Sequence, residues 1–160
     1  MNILHHANEE TLARYAAGLL GAGPAMVVGA HIEACPECRA RLTHFEVLGG
    51  ALLEAELPTP LSPSAMADTL ARIDGETAPL PAASSSAHVE RDGLRLPSTL
   101  AGSRMGRWRW IAPGMRMSRV RTPRAPDANL ILLKIEPGGK LPLHGHGGRE
   151  FTYVVSGSFT

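Results

Sequence analysis

Lysine is nearly missing from this 160-residue chain: Lys134 and Lys140 stand against fourteen arginines. Net charge is missing too. Sixteen basic and fifteen acidic side chains leave a formal +1, which excludes a global electrostatic pull toward nucleic acid or a membrane surface. No apolar run approaches the roughly 20 residues that span a bilayer. The opening Met1-Asn2-Ile3-Leu4-His5-His6 lacks the basic start and long apolar core of a secretory signal, so a cytoplasmic location is expected. Aromatics make up only 4% of the chain, and Arg104, Arg107, Arg109, Arg116, Arg119, Arg121 and Arg124 cluster without the interleaved rings of an RNA-binding sheet. They read as a solvated strand surface, with no direct nucleic-acid partner. Cysteine is reduced to Cys35 and Cys38. In a reducing compartment such a close pair points to metal binding or redox chemistry before a structural disulfide.

What is present divides into two halves of different periodicity. Asn8 is a good N-cap, Glu9 and Glu10 follow it, and Leu12, Tyr15, Ala16 and Leu19 form one helical stripe. Gly21, Gly23 and Pro24 end that helix and open a second, which Met26, Val27, Ala30 and Ala34 carry to Cys35. Pro36 starts a third helix in which Leu42, Phe45, Leu48 and Leu52 keep helical spacing, weakened at Gly49-Gly50 by about 1 kcal/mol per glycine. Ser62 and Pro63 open a short fourth, with Met66, Leu70 and Ile73 on one face and Gly75 at its end. It is too weakly amphipathic to be stable alone and needs a surface to lie on.

The segment 76–93, rich in Pro, Ala and Ser, reads as a linker. Beyond it come strand-like stretches: Trp108, Trp110, Met115, Met117 and Val120, then Leu130 to Ile135 and Phe151 to Val155. Trp108 and Trp110 share a strand face and are expected to pack over one end of a β domain. The predicted class is α + β with two domains: a four-helix domain over 1–75, the linker, and a β domain over 94–160.

Two clusters carry metal chemistry. His31 and Cys35 are four apart on one helix face, and Cys38 follows across the Pro36-Glu37 turn at the start of the next helix. A helix N-terminus favours the thiolate that a metal needs. Tetrahedral zinc asks for a fourth ligand, and either His5 or His6 lies close enough in sequence to supply it. A domain of about 75 residues has a marginal core, so a zinc staple worth roughly 10–16 kcal/mol would decide whether it folds. The competing readings are a thioredoxin-like Cys35-Pro36-Glu37-Cys38 pair, which wants a strand rather than a helix before it, and a coincidental pair beside a buried histidine.

In the β half, Gly138, His144, His146, Glu150 and Gly157 stand at fixed spacing. Residues two apart on a strand share a face, so His144 and His146 enter an interior together, and Glu150 rejoins them if the strand resumes past Gly147-Gly148. Two imidazoles and a carboxylate form a facial set for a second divalent metal, zinc or another.

The stretch His31-Ile-Glu-Ala-Cys35-Pro-Glu-Cys38-Arg39 resembles the His-x3-Cys-x2-Cys motif of zinc-binding anti-sigma factors, and the Gly138-to-Gly157 pattern resembles the first cupin motif. Together with His5-His6 and Tyr15-Ala16-Ala17-Gly18 they are similar to the ChrR-type members. That resemblance implies His6, His31, Cys35 and Cys38 as the zinc ligands. It also implies a partner, an extracytoplasmic-function sigma factor sequestered by the helices. The cupin would serve as the response domain, releasing the sigma factor under oxidative stress of the singlet-oxygen or organic-hydroperoxide kind. Cupins add a histidine from a second motif further along. Residues 107–160 supply about five strands of the roughly eight in a closed barrel. An incomplete second site is therefore expected, with repression kept and signal response weakened. The rivals are a small metal-dependent cupin enzyme of dioxygenase or isomerase type, using His144, His146 and Glu150, and a redox switch in which Cys35 and Cys38 form a disulfide and expel zinc.

Overall fold

The computed structural model describes residues 3–75, 90–123, 125–141, 145 and 147–158. Four helices precede an antiparallel sheet: α1 (Glu9–Ala16), α2 (Ala22–Ala34), α3 (Pro36–Ala55) and α4 (Ala65–Gly75), then β1 (Glu90–Arg91) to β6 (Ala125–Ile135). The α + β expectation holds. Residues 90–93 of the expected linker form the first strand and turn of the β1–β2 hairpin, with β2 at Leu94–Arg95.

Helix α1 begins where Asn8 accepts a hydrogen bond from the Thr11 amide at 2.9 Å. It stops earlier than its apolar stripe predicts. Gly18 takes φ +67°, and Leu19 and Gly18 donate back to the Arg14 and Tyr15 carbonyls, closing the helix one turn before Gly21. Leu19 therefore leaves the stripe and is exposed.

Helix α2 carries no charged residue before Glu33 and is apolar on all sides, the pattern of a helix buried on more than one face. Its Val28 and Ile32 join Leu12, Cys35, Cys38 and Leu42 in one core, while its Met26 joins Leu96, Leu100, Val120 and Ala125 in a second. Gly29 marks the pinch between them. A Cβ there would stand 3.1 Å from both the Tyr15 hydroxyl and a Thr99 methyl.

In the sheet, the long strand β5 (Met115–Thr122) pairs with β6 along one edge and with β3 (Arg104–Met105) and β4 (Arg109–Ala112) in series along the other. Ser118, Val120 and Thr122 are buried on one face, while Arg119 and Arg121 alternate to solvent on the other. Arg104, Arg107 and Arg109 are exposed as well, in keeping with a solvated surface, and Arg124 lies outside the described residues. The two tryptophans depart from expectation. Trp108 donates to the Asp92 carboxylate at 2.6 Å under the Arg91 guanidinium, tying the hairpin to the sheet. Trp110 is exposed beneath Arg116, covering no core. Phe151–Val155 is also not a strand. Its side chains go to the helices instead, as described below, and it forms no ladder.

Candidate metal centre

The two Cys and two His side chains are delivered by junctions between elements. His31 occupies the last turn of α2, and Cys35 both ends α2 and caps α3. Pro36, with φ preset for a first turn, drives the chain directly into α3. Cys38 then falls in the opening turn, its amide donating to the Cys35 sulfur at 3.4 Å. The chain before α1 lies against the same point and brings in His6.

The ligand atoms of His6, His31, Cys35 and Cys38 all lie within 4.8 Å of one another. His31 Nε2 is 3.2 Å from Cys38 Sγ, and His6 Nδ1 is 3.4 Å from Cys35 Sγ and 3.6 Å from Cys38 Sγ. Donors around a tetrahedral zinc stand about 3.3–3.8 Å apart, so the spacing and the N2S2 chemistry both fit that ion. The far nitrogen of His6, Nε2, lies 3.2 Å from the Glu37 carboxylate. Such a carboxylate fixes the tautomer and leaves Nδ1 free to ligate. Both cysteines are free and almost fully buried, at 2% and 0% exposure, which makes them part of the core as well as of the cluster.

Burial, helped by the positive charge available to His6, holds His31 below the usual imidazole range. Its ring is thus a ready acceptor at neutral pH. Burial pushes the Cys38 thiol up; the Ala7 backbone amide and the Arg41 guanidinium oppose that shift, and Cys35 reinforces it. A cation entering the cluster would displace the Cys38 proton and find amide and guanidinium support for the thiolate.

His5 is exposed and outside the cluster, as is His44. Of the second candidate set, Glu150 is exposed on a segment outside the sheet, and His144 and His146 lie outside the described residues, as does His88. The flanking Gly138 and Gly157 take φ +78° and +84°, the left-handed conformation for which glycine suits a turn.

Three neighbours of the cluster were not singled out from sequence. Phe151 packs on the core containing both cysteines, and Tyr153 meets the His31 ring edge-on, centroids 6.4 Å apart. Glu33, between His31 and Cys35, accepts from the Ser98 amide at 2.9 Å and its hydroxyl at 2.8 Å. These contacts span 65 or more residues, and no local periodicity announces them.

A second feature of the helical half is apolar surface left open. Only Cys38 and Leu42 of α3 are buried, whereas Val47, Leu48, Leu52 and Leu53 are exposed, Leu53 to 75%. Helix α4 buries no side chain, and its Met66, Leu70 and Ile73 are likewise exposed. Among the described residues no helix is long and apolar enough to cross a membrane.

No family model matches the chain. It is 36% identical to the anti-sigma-E factor ChrR of Cereibacter sphaeroides over 165 aligned residues, covering 99% of this chain and 73% of that protein. Its fold is similar to a chain in the crystal structure of Rhodobacter sphaeroides SigE in complex with the anti-sigma ChrR. There the TM-score is 0.69 and the identity 33%, covering 92% of this chain and 78% of that one.

Proposed function

The chain belongs to the ChrR family of anti-sigma factors, and from that premise we propose that residues 1–75 form a zinc-organised domain that captures an extracytoplasmic-function sigma factor. It is a regulator that works by binding and not by turnover. The observation that carries the capture reading is the open apolar surface of α3 and α4. Seven large apolar side chains, Val47, Leu48, Leu52, Leu53, Met66, Leu70 and Ile73, stand exposed on two helices. Monomers rarely leave so many large apolar side chains exposed without a use for them. An amphipathic helix that buries nothing of its own is completed by a partner's groove.

Zinc enters through the N2S2 cluster. His6, His31, Cys35 and Cys38 would hold it, supplying no catalysis but fixing the start of α1, the end of α2 and the start of α3 relative to one another. That fixed junction aims α3, and hence the capture face, in one direction. The part over 94–160 is read as a cupin-type response domain, with Glu150, His144 and His146 as its candidate metal ligands. Its signal would be oxidative stress of the singlet-oxygen or organic-hydroperoxide class, and its place of action the cytoplasm. What supports this reading is the resemblance of the Gly138-to-Gly157 pattern to the first cupin motif, and the packing of Met26 of α2 into the core of the sheet half gives the two halves a physical link.

The test is co-purification with an extracytoplasmic-function sigma factor from the same genome, using the full chain and Leu52→Glu combined with Leu70→Glu. Both positions are exposed, so stability should change little, by about 0.5 kcal/mol or less per site. Capture should fall by about a hundredfold or more, since a charge buried in an apolar contact costs several kcal/mol. Undiminished capture by a folded double variant would remove the proposed face.

A further inference from the structure

The region 149–155, of which Phe151 to Val155 is expected from sequence to be a strand, lies across the helical half. Arg149 pairs with Glu10 of α1 at 3.2 Å. Phe151 packs on the core that holds Cys35 and Cys38. Tyr153 sets its ring nearly perpendicular to that of His31, and Val155 packs on the second core beside α2. Four residues of one short segment thus touch α1, the thiol core, a ligand histidine and the sheet's core in turn. The Ser98–Glu33 pair grips α2 from a second segment, on the turn between His31 and Cys35.

We propose that 149–155 is a strap over the metal-ligand cluster, and that Phe151 and Tyr153 are positioning residues that slow both metal loss and reagent attack on the two thiols. This rests on the metal reading above. Tyr153 limits the rotation of the His31 ring, so Nε2 stays aimed at Cys38. Phe151 packs on the core that buries the two cysteines, adding to the cover given by Leu12, Val28, Ile32 and Leu42. Because the strap leaves the sheet half and ends on it again, any displacement of that half pulls directly on the cover of the cluster. The contact of Tyr153 with His31 is ring against ring, so the ring carries it and the hydroxyl does not.

Two rates on the purified full chain test this. One is zinc transfer to the chromophoric chelator 4-(2-pyridylazo)resorcinol, and the other is alkylation of Cys35 and Cys38 by iodoacetamide. Tyr153→Ala and Phe151→Ala should each speed zinc transfer by about ten- to a hundredfold, the usual effect of removing a group that orients a ligand. Tyr153→Phe should behave as the parent. Arg149→Glu loosens the strap at its exposed start without touching either core, and should speed both rates by about two- to fivefold. The swap Arg149→Glu with Glu10→Arg should restore them. Parental rates in Tyr153→Ala, Phe151→Ala and Arg149→Glu would overturn the strap. Zinc content of the parent at time zero separates the two ideas. If it is nil, the metal reading fails, and alkylation rates alone still decide whether the strap covers the thiols.

Discussion

Removing the metal should cost the helical half its fold, and the structure gives the scale. The first core contains four fully engaged aliphatic side chains, Leu12, Val28, Ile32 and Leu42, alongside the two cysteines. Burying each of the four is worth about 1.5–3 kcal/mol, or about 6–12 kcal/mol together. Structural zinc contributes about 10–16 kcal/mol in small domains, at least as much as that apolar set and comparable with the whole net stability of a typical domain. Losing it therefore exceeds what the helices hold in reserve. The sheet half draws on a second core in which Leu96, Leu100, Val120 and Ala125 come from that half and only Met26 comes from α2, so its strands should persist.

The assay is circular dichroism with metal content measured on the same sample, before and after exhaustive chelation, and on Cys38→Ser. Helical signal should fall sharply and return on adding back zinc, while the sheet signal persists. Cys38→Ser should resemble the chelated protein, since a hydroxyl replaces a buried thiolate at the centre of the cluster. A metal-free chain with full helicity, melting cooperatively at the parental temperature, would refute the reasoning.

Two further outcomes follow from the same geometry. His6→Ala should lower zinc affinity by an order of magnitude or more, whereas His5→Ala and His44→Ala should leave zinc stoichiometry unchanged, as read by competition with a chelator; a loss confined to His5→Ala would reverse the assignment. Affinity should also rise with pH. Burial keeps the Cys38 thiol above its ordinary 9.0, so between pH 6.5 and 9.0 binding must displace that proton and tightens as pH increases. Below pH 6.5 affinity should fall more steeply as His31, held under its ordinary 6.5 by burial, also begins to take up a proton. A flat affinity from pH 6.5 to 9.0 would contradict the raised Cys38 thiol.

What the sequence made legible was local. Asn8, Pro36 and the His31–Cys35 spacing act within a turn or two, and each stands where its chemistry predicts. Gly18 was the local signal passed over: its left-handed φ ended α1 before Leu19 could join the stripe. The choice of His6 over His5 was beyond spacing, because it depends on how the chain before α1 lies against α3. Periodicity also identified Leu48, Leu52, Met66, Leu70 and Ile73 as apolar faces but was silent on what covers them; here they are exposed. Phe151–Val155 shows the reverse failure. Its alternation is that of a strand, yet Phe151 and Tyr153 spend it on a distant helix, a choice that only tertiary packing makes.

The formal charge of +1 misled in a different way, because it sums two unlike halves. Residues 1–75 hold four arginines against nine acidic side chains, a net of −5, while residues 90–160 hold twelve basic against five acidic, a net of +7. Glu46, Glu54, Glu56, Asp68 and Asp74 all fall on or between the two helices that carry the exposed apolar side chains. A transcription subunit that reads promoter DNA must carry basic surface for phosphate. An apolar face among acidic residues is complementary to such a surface: the charge speeds the approach and the buried side chains set the lifetime. The same acidity repels DNA itself, so this half competes for the proposed partner without binding what the partner binds. Near-neutrality of the whole excludes a polyelectrolyte, and it leaves room for a chain whose acidic end captures while its basic end holds on to that acidic end, as Arg149 does to Glu10.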